Sequence, residues 1–92
     1  MEILQTDDGK NGMFYIEQEG ETLAKMTYVW AGSGAFIIDH TEVDDKLRGK
    51  SAGRQMVAKA VEFAREKKVK IVPLCPFAKS VFDRVEEYGD VL

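Results

Sequence analysis

The chain has 92 residues, a formal net charge of −3, and 45% hydrophobic and 32% charged residues. This balance is typical of a globular protein in water, so we expect one domain over residues 1–92, and the acidic excess argues against nucleic-acid binding. The single cysteine excludes an intramolecular disulfide and predicts a cytoplasmic protein, while the lack of a signal sequence or membrane-spanning run predicts no membrane association.

The first half of the chain is strand-like. Aromatic and β-branched residues, with alternation clearest in the middle segment, predict three strands: 13–17, 23–30 and 35–43. The turns at 19–21 and 31–34 are short enough to join these strands into an antiparallel meander. Ile3 and Leu4 are candidates for the start of an additional strand.

The second half alternates between helix and strand patterns. Apolar residues recur with a period near 3.6 over residues 51–67, which predicts a helix. A strand at 69–74 follows this helix, so we expect it to pair in parallel with the strand at 35–43. Pro76 suits the first position of a second helix. The predicted order is β-β-β-α-β-α in a single mixed sheet, an α/β fold of the α+β type.

The start of the longer predicted helix is unusually basic. Four cations surround it: Lys46, Arg48, Lys50 and Arg54. Helix N-termini favour negative charge, so a bound phosphate or pyrophosphate would turn this local conflict into an attraction. The alternative is a solvated basic turn whose charge is offset by Asp44 and Asp45.

Two known phosphate-binding motifs do not match this loop. The tripeptide Gly49-Lys50-Ser51 resembles the end of a P-loop, but Asp44 stands where that motif requires its first glycine. We therefore exclude a nucleoside triphosphatase. The dinucleotide-binding pattern G-x-G-x-x-G is also absent.

The stretch instead resembles the acetyl-CoA pyrophosphate loop R/Q-x-x-G-x-G/A, with Arg48 and Gly53 matching and Ser51 replacing the usual middle glycine. Four ordered blocks carry this likeness further: 38–43, 48–53, 73–79 and 87–88. Together they resemble the small single-domain branch of the GCN5-related N-acetyltransferase superfamily. The resemblance implies a minimal acyl-CoA N-acyltransferase-like fold, acetyl-CoA as acyl donor, and an amine acceptor of unknown identity.

Full-size members of that superfamily place two helices after the first strand, and these shape the acceptor site. Only residues 18–21 lie between the first two predicted strands here, so those helices have no room. The resemblance then implies an open acceptor side that an amine on a protein or a polyamine could reach.

The resemblance also assigns residues to acetyl-CoA. Backbone groups of three strand residues would bind the pantetheine arm: Thr41, Glu42 and Val43. The loop would bind the pyrophosphate through Arg48, Gly49, Lys50, Ser51, Ala52, Gly53 and Arg54. Lys79 is a candidate for a further phosphate contact and Phe77 for lining the pantetheine channel. The alternatives are a solvated lysine and a core aromatic.

Two residues are catalytic candidates. Cys75 lies just before Pro76, and a thiol at a helix N-terminus can act as a nucleophilic thiolate. The resemblance gives the matching cysteine this role; the alternative is a small buried hydrophobe. His40, the only histidine, suits a general base. Strand alternation places His40 on one face with Ile38, and the resemblance places it near the cysteine; the alternative is a structural histidine.

Three functions compete at this point. The leading one is an acetyl-CoA-dependent N-acetyltransferase that acts directly or through Cys75. The second is a non-catalytic module that binds CoA or acyl-CoA, and the third is a small interaction domain that docks an acidic partner. No metal site is predicted, and we expect a monomer or weak dimer.

Overall fold

The computed structural model describes residues 1–92. Its strands are β1 (Leu4–Asp7), β2 (Asn11–Gln18), β3 (Glu21–Ala31), β4 (Ala35–Val43) and β5 (Lys70–Pro73). Its helices are α1 (Ala52–Lys67) and α2 (Pro76–Arg84), and two short 3₁₀ segments cover Asp45–Leu47 and Glu86–Val91. Neither helix has the length and apolar character needed to cross a membrane.

The strands form one sheet in the order β1-β2-β3-β4-β5. Neighbours from β1 to β4 are antiparallel, and β5 pairs in parallel with β4. The predicted fold class, the mixed sheet and the parallel last strand are confirmed. β1 begins at Leu4, one of the two candidates for the start of an additional strand, and adds one strand to the predicted order; it is four residues long and mostly exposed, so apolar alternation does not mark its extent.

The apolar stripe of α1 packs against one side of the sheet. Its buried residues include Met56, Val57 and Ala60, each 0% exposed, and they recur at the spacing of a single helix face. They join strand residues such as Phe36 and Ile38 in one hydrophobic cluster that also takes in α2. This arrangement fixes both helix starts beside the carboxyl ends of β4 and β5.

A polar network ties β1 to this core. The buried phenol of Tyr28 donates its hydroxyl hydrogen to Asp7 at 2.6 Å and accepts from Gln5 Nε2 at 2.9 Å. Trp30 Nε1 donates to the same carboxylate at 2.9 Å. Burial and the neighbouring Asp7 raise the pKa of Tyr28. Partial burial works to raise the pKa of Asp7, but hydrogen bonds from Tyr28, Gly9 and Trp30 outweigh it and lower that pKa.

We expect the Asp7 network to make stability depend on pH. Because folding lowers the pKa of Asp7, its charge stabilises the fold above the pKa of the unfolded chain, and this contribution is lost as pH falls through the folded pKa. Asp7→Asn should therefore be less stable than wild type near pH 7, and the difference should shrink below about pH 4. Urea unfolding from pH 3 to pH 7 measures this; a difference independent of pH would contradict it.

Candidate functional site: the cleft between β4 and β5

β4 and β5 pair only at the start of β4. Their register runs from Ala35 opposite Lys70 to Ile38 opposite Pro73, and β4 then continues to Val43 bonded to β3 alone. The backbone N–H groups of Leu74 and Cys75 both donate to the Ile38 carbonyl, at 3.0 and 3.1 Å, and close the ladder. We call the opening beyond this point, bordered by residues 39–43 and 74–77, the β4–β5 cleft.

A β-bulge in β4 lies at the apex of the cleft. Thr27 pairs with His40 and Tyr28 pairs with Ile38, so Asp39 has no partner in β3. The Asp39 carboxylate instead accepts a hydrogen bond from Thr27 Oγ1 at 2.6 Å. An extra residue shifts the alternation of everything after it, so it decides which side chains of β4 face the helices.

The bulge corrects the predicted orientation of His40. Simple alternation puts His40 on the face of Ile38 and Thr41 on the opposite face, and both placements are wrong. Thr41 pairs with Met26, which is 0% exposed, and lies on the helix side, whereas His40 pairs with Thr27 on the open side. There, His40 Nε2 lies 3.5 Å from a Glu42 oxygen. Hydrogen bonds from His40 and Lys25 lower the pKa of Glu42.

The loop after β4 presents unpaired backbone donors. Gly49 and Ser51 have left-handed backbone conformations, with φ of +79° and +56°. The N–H groups of residues 51–54 donate to no protein acceptor, and the Ser51 side chain does not cap the helix. A left-handed conformation costs a serine about 1–2 kcal/mol. Converging N–H groups at the start of a long helix form an anion-binding concavity.

The basic residues around this loop are not equivalent. Lys46 Nζ lies 2.8 Å from Glu21, and Arg48 lies 3.2 Å from Asp45 while its side chain stays 80% exposed. Lys50 and Arg54 have no carboxylate within 4.0 Å. The predicted offset by Asp44 does not form with a side chain, because that carboxylate accepts from the backbone N–H of Lys46. Positive charge therefore remains available at the loop.

The two helix starts meet beside the loop. A methyl group added to Gly53 would lie 2.5 Å from Cζ of Phe77, so the absence of a side chain at Gly53 lets the aromatic ring reach α1. Phe77 is 39% exposed and borders the cleft. Lys79 lies one turn into α2, and its ammonium is 3.2 Å from Asp83, which competes with its predicted phosphate contact.

Cys75 is the N-cap of α2. Its sulfur accepts from the backbone N–H of Ala78 at 3.3 Å and lies 3.2 Å from Thr41 Oγ1. The residue is 5% exposed. The expected helix N-terminus is therefore present at Cys75, and its side-chain partner across the cleft is Thr41.

Sequence reasoning assigns Thr41 only a backbone role and misses its side-chain contact with Cys75. Four consecutive polar residues follow Ile38 in β4, so this half of the strand has no apolar alternation from which the bulge could be predicted.

Known proteins resemble this chain in sequence and in fold. A family model described as GCN5-related N-acetyl-transferase matches residues 13–91. A GCN5-like protein from Staphylococcus aureus, solved by NMR, is 37% identical with a TM-score of 0.77, over 98% of this chain and 85% of that one. No curated protein matches the sequence.

Two larger structures share the fold at low identity. A ribosomal-protein-alanine N-acetyltransferase from Brucella melitensis is 16% identical with a TM-score of 0.67, over 85% of this chain and 62% of that one. A predicted acetyltransferase from Clostridium acetobutylicum, solved with acetyl-CoA, is 14% identical with a TM-score of 0.67, over 84% of this chain and 57% of that one. The chain therefore spans less than two thirds of these larger proteins.

Proposed function

The chain belongs to the GCN5-related N-acetyltransferase family, and on this basis we propose that it binds acetyl-CoA in the β4–β5 cleft and transfers the acetyl group to an amine there. The family and its neighbours support acetyl-CoA-dependent N-acetyl transfer. The observation that carries the assignment to this site is the divergence of β5 from β4 beside a loop of unpaired N–H groups. We further propose that residues 1–92 act as one domain.

The residues of the cleft suit the parts of acetyl-CoA. The N–H groups of residues 51–54, with Lys50 and Arg54 nearby, would hold the pyrophosphate. The edge of β4 beyond its pairing with β5 offers backbone groups of Thr41, Glu42 and Val43 to an extended chain containing amides. Acetyl-CoA supplies an acetyl thioester, and this placement would bring it to the strand end where Cys75 lies.

Two transfer routes remain open for this cleft. In the first, Cys75 accepts the acetyl group and passes it to the amine; in the second, the amine attacks the thioester directly. An amine must lose a proton in either route. His40 lies on the open side of the sheet. We therefore propose that His40 takes a proton from the acceptor amine and not from the Cys75 thiol.

A non-catalytic CoA-binding module is the second candidate. The observation that favours it is that Cys75 hydrogen-bonds to Thr41 rather than to His40, so the expected nucleophile–base pair is not assembled. Incubation with labelled acetyl-CoA and a panel of polyamines and lysine peptides separates the two candidates. Acetylated amine supports the enzyme; saturable binding without any transfer supports the module.

We expect loop charge to contribute to acetyl-CoA binding. Lys50→Gln/Arg54→Gln should weaken affinity roughly tenfold, because these two cations have no carboxylate partner and their charge-assisted contacts to phosphate would be lost. The matched control Lys59→Gln/Lys67→Gln removes the same charge elsewhere on α1 and should change affinity less than about twofold. Calorimetric titration with acetyl-CoA measures both. Equal affinity in the two double variants would rule out the loop as the pyrophosphate site.

A further inference from the structure

One side-chain contact spans the β4–β5 cleft. Thr41 Oγ1 lies 3.2 Å from Cys75 Sγ, and the Ala78 backbone N–H donates to the same sulfur at 3.3 Å. We propose that Thr41 is a positioning residue whose hydroxyl holds and activates the Cys75 sulfur as a nucleophile. The inference rests on the proposed function, since it assigns the sulfur to the acetyl-transfer site.

The bulge at Asp39 makes this contact possible. It moves Thr41 to the helix side of the sheet, where its strand partner is the buried Met26. Without the extra residue, alternation would turn the Thr41 side chain to the open side, away from α2. The contact is therefore a consequence of strand irregularity and not of sequence spacing.

Backbone hydrogen bonds also hold Cys75 close to Thr41. Both Leu74 and Cys75 donate their N–H groups to the Ile38 carbonyl, so the position of Cys75 is set against β4 three residues before Thr41. The Cys75 side chain has little freedom, because the residue is 5% exposed. Thr41 and Ala78 contact the sulfur from two different elements, β4 and α2.

The hydroxyl group of Thr41 can donate a hydrogen bond to a nucleophilic sulfur. A thiolate can only accept hydrogen bonds, so Thr41 must donate once the sulfur has lost its proton to solvent. Hydrogen bonds to a charged acceptor are about twice as strong as neutral ones. The hydroxyl therefore stabilises the sulfur in its nucleophilic form.

The contact between Thr41 and Cys75 would act in both steps of acyl transfer, the acylation of Cys75 and the transfer to the amine. Cys75 Sγ forms a bond to the thioester carbonyl carbon, the bond from that carbon to the CoA sulfur breaks, and CoA leaves as a thiolate. The acceptor nitrogen then bonds to the carbonyl carbon and loses a proton to His40, its proposed base, while the Cys75 sulfur leaves as a thiolate. Thr41 donates to the sulfur at the start and at the end of this cycle.

The experiment compares Thr41→Val, which keeps the shape and removes the hydroxyl, with Thr41→Ser, which keeps the hydroxyl. Alkylation of Cys75 by iodoacetamide at fixed pH, without CoA, reports sulfur reactivity independently of enzyme activity. Acetyl labelling of Cys75 at saturating acetyl-CoA and calorimetric affinity for CoA are measured in parallel. We expect alkylation and labelling to slow about tenfold in the valine variant and to recover in the serine variant. The CoA affinity reports whether the backbone contacts proposed for residue 41 survive either substitution.

Two results would overturn the proposal: alkylation of Thr41→Val at the wild-type rate, or a serine variant as slow as the valine variant. Thermal unfolding confirms that both variants are folded. If the alkylation pattern is as expected but wild type gains no acetyl label on Cys75, the positioning of the sulfur is supported and the cysteine route of the proposed function fails. Failure of the proposed role of Thr41 and failure of the cysteine route therefore give different results.

Discussion

Cys75→Ser is expected to abolish covalent acetyl labelling of the chain while leaving it folded. Serine is a preferred N-cap residue, so its hydroxyl can accept from the Ala78 N–H and contact Thr41 as the sulfur does. A serine hydroxyl without an adjacent base is a far weaker nucleophile than a thiol. Mass spectrometry after incubation with acetyl-CoA measures the label, and thermal unfolding checks the fold.

Cys75→Ser removes the nucleophilic thiol and keeps a helix cap, whereas Cys75→Ala removes both. If the serine variant transfers acetyl to an amine at the wild-type rate, Cys75 is a structural cap and direct attack by the amine is the mechanism. If label is found on the serine variant at a lysine, the labelling is nonspecific chemical acetylation. Loss of both label and turnover, with unchanged CoA affinity, would support the cysteine route.

Gly12→Ala is expected to destabilise the fold by about 3 kcal/mol. A methyl group at this position of β2 would overlap Cζ and Oη of Tyr28. The Tyr28 ring is 1% exposed, and its hydroxyl is held by Asp7 and Gln5, so it cannot retreat. Urea unfolding at pH 7 measures the loss.

Gly53→Ala is the matched control for this prediction. Its added methyl group would also crowd an aromatic ring, at 2.5 Å from Cζ of Phe77. Phe77 is 39% exposed and can turn into solvent, and alanine is the better helix former. We therefore expect a change below about 1 kcal/mol. Equal losses in the two variants would show that the mobility of the opposing ring does not decide the cost.

The local pattern of this chain predicts most of its elements. β4 is predicted at its observed bounds, and α1 begins one residue after the predicted start, because each element has an apolar face of the right period. The basic loop could also be located from the sequence, since cations at a helix start contradict the usual preference for negative charge there. The left-handed Ser51 shows that a backbone which normally favours glycine persists here despite the side chain.

The fold class and the location of the loop follow from periodicity and local charge, which are properties of neighbouring residues, whereas the family was indicated by the resemblance of the four sequence blocks. Which groups meet in the cleft depends instead on tertiary pairing. The bulge at Asp39 depends on the pairing of β4 with β3, and it exchanges the faces of His40 and Thr41. Cys75 consequently meets Thr41, a residue 34 positions away, and a contact across that separation follows from strand register rather than from any local pattern.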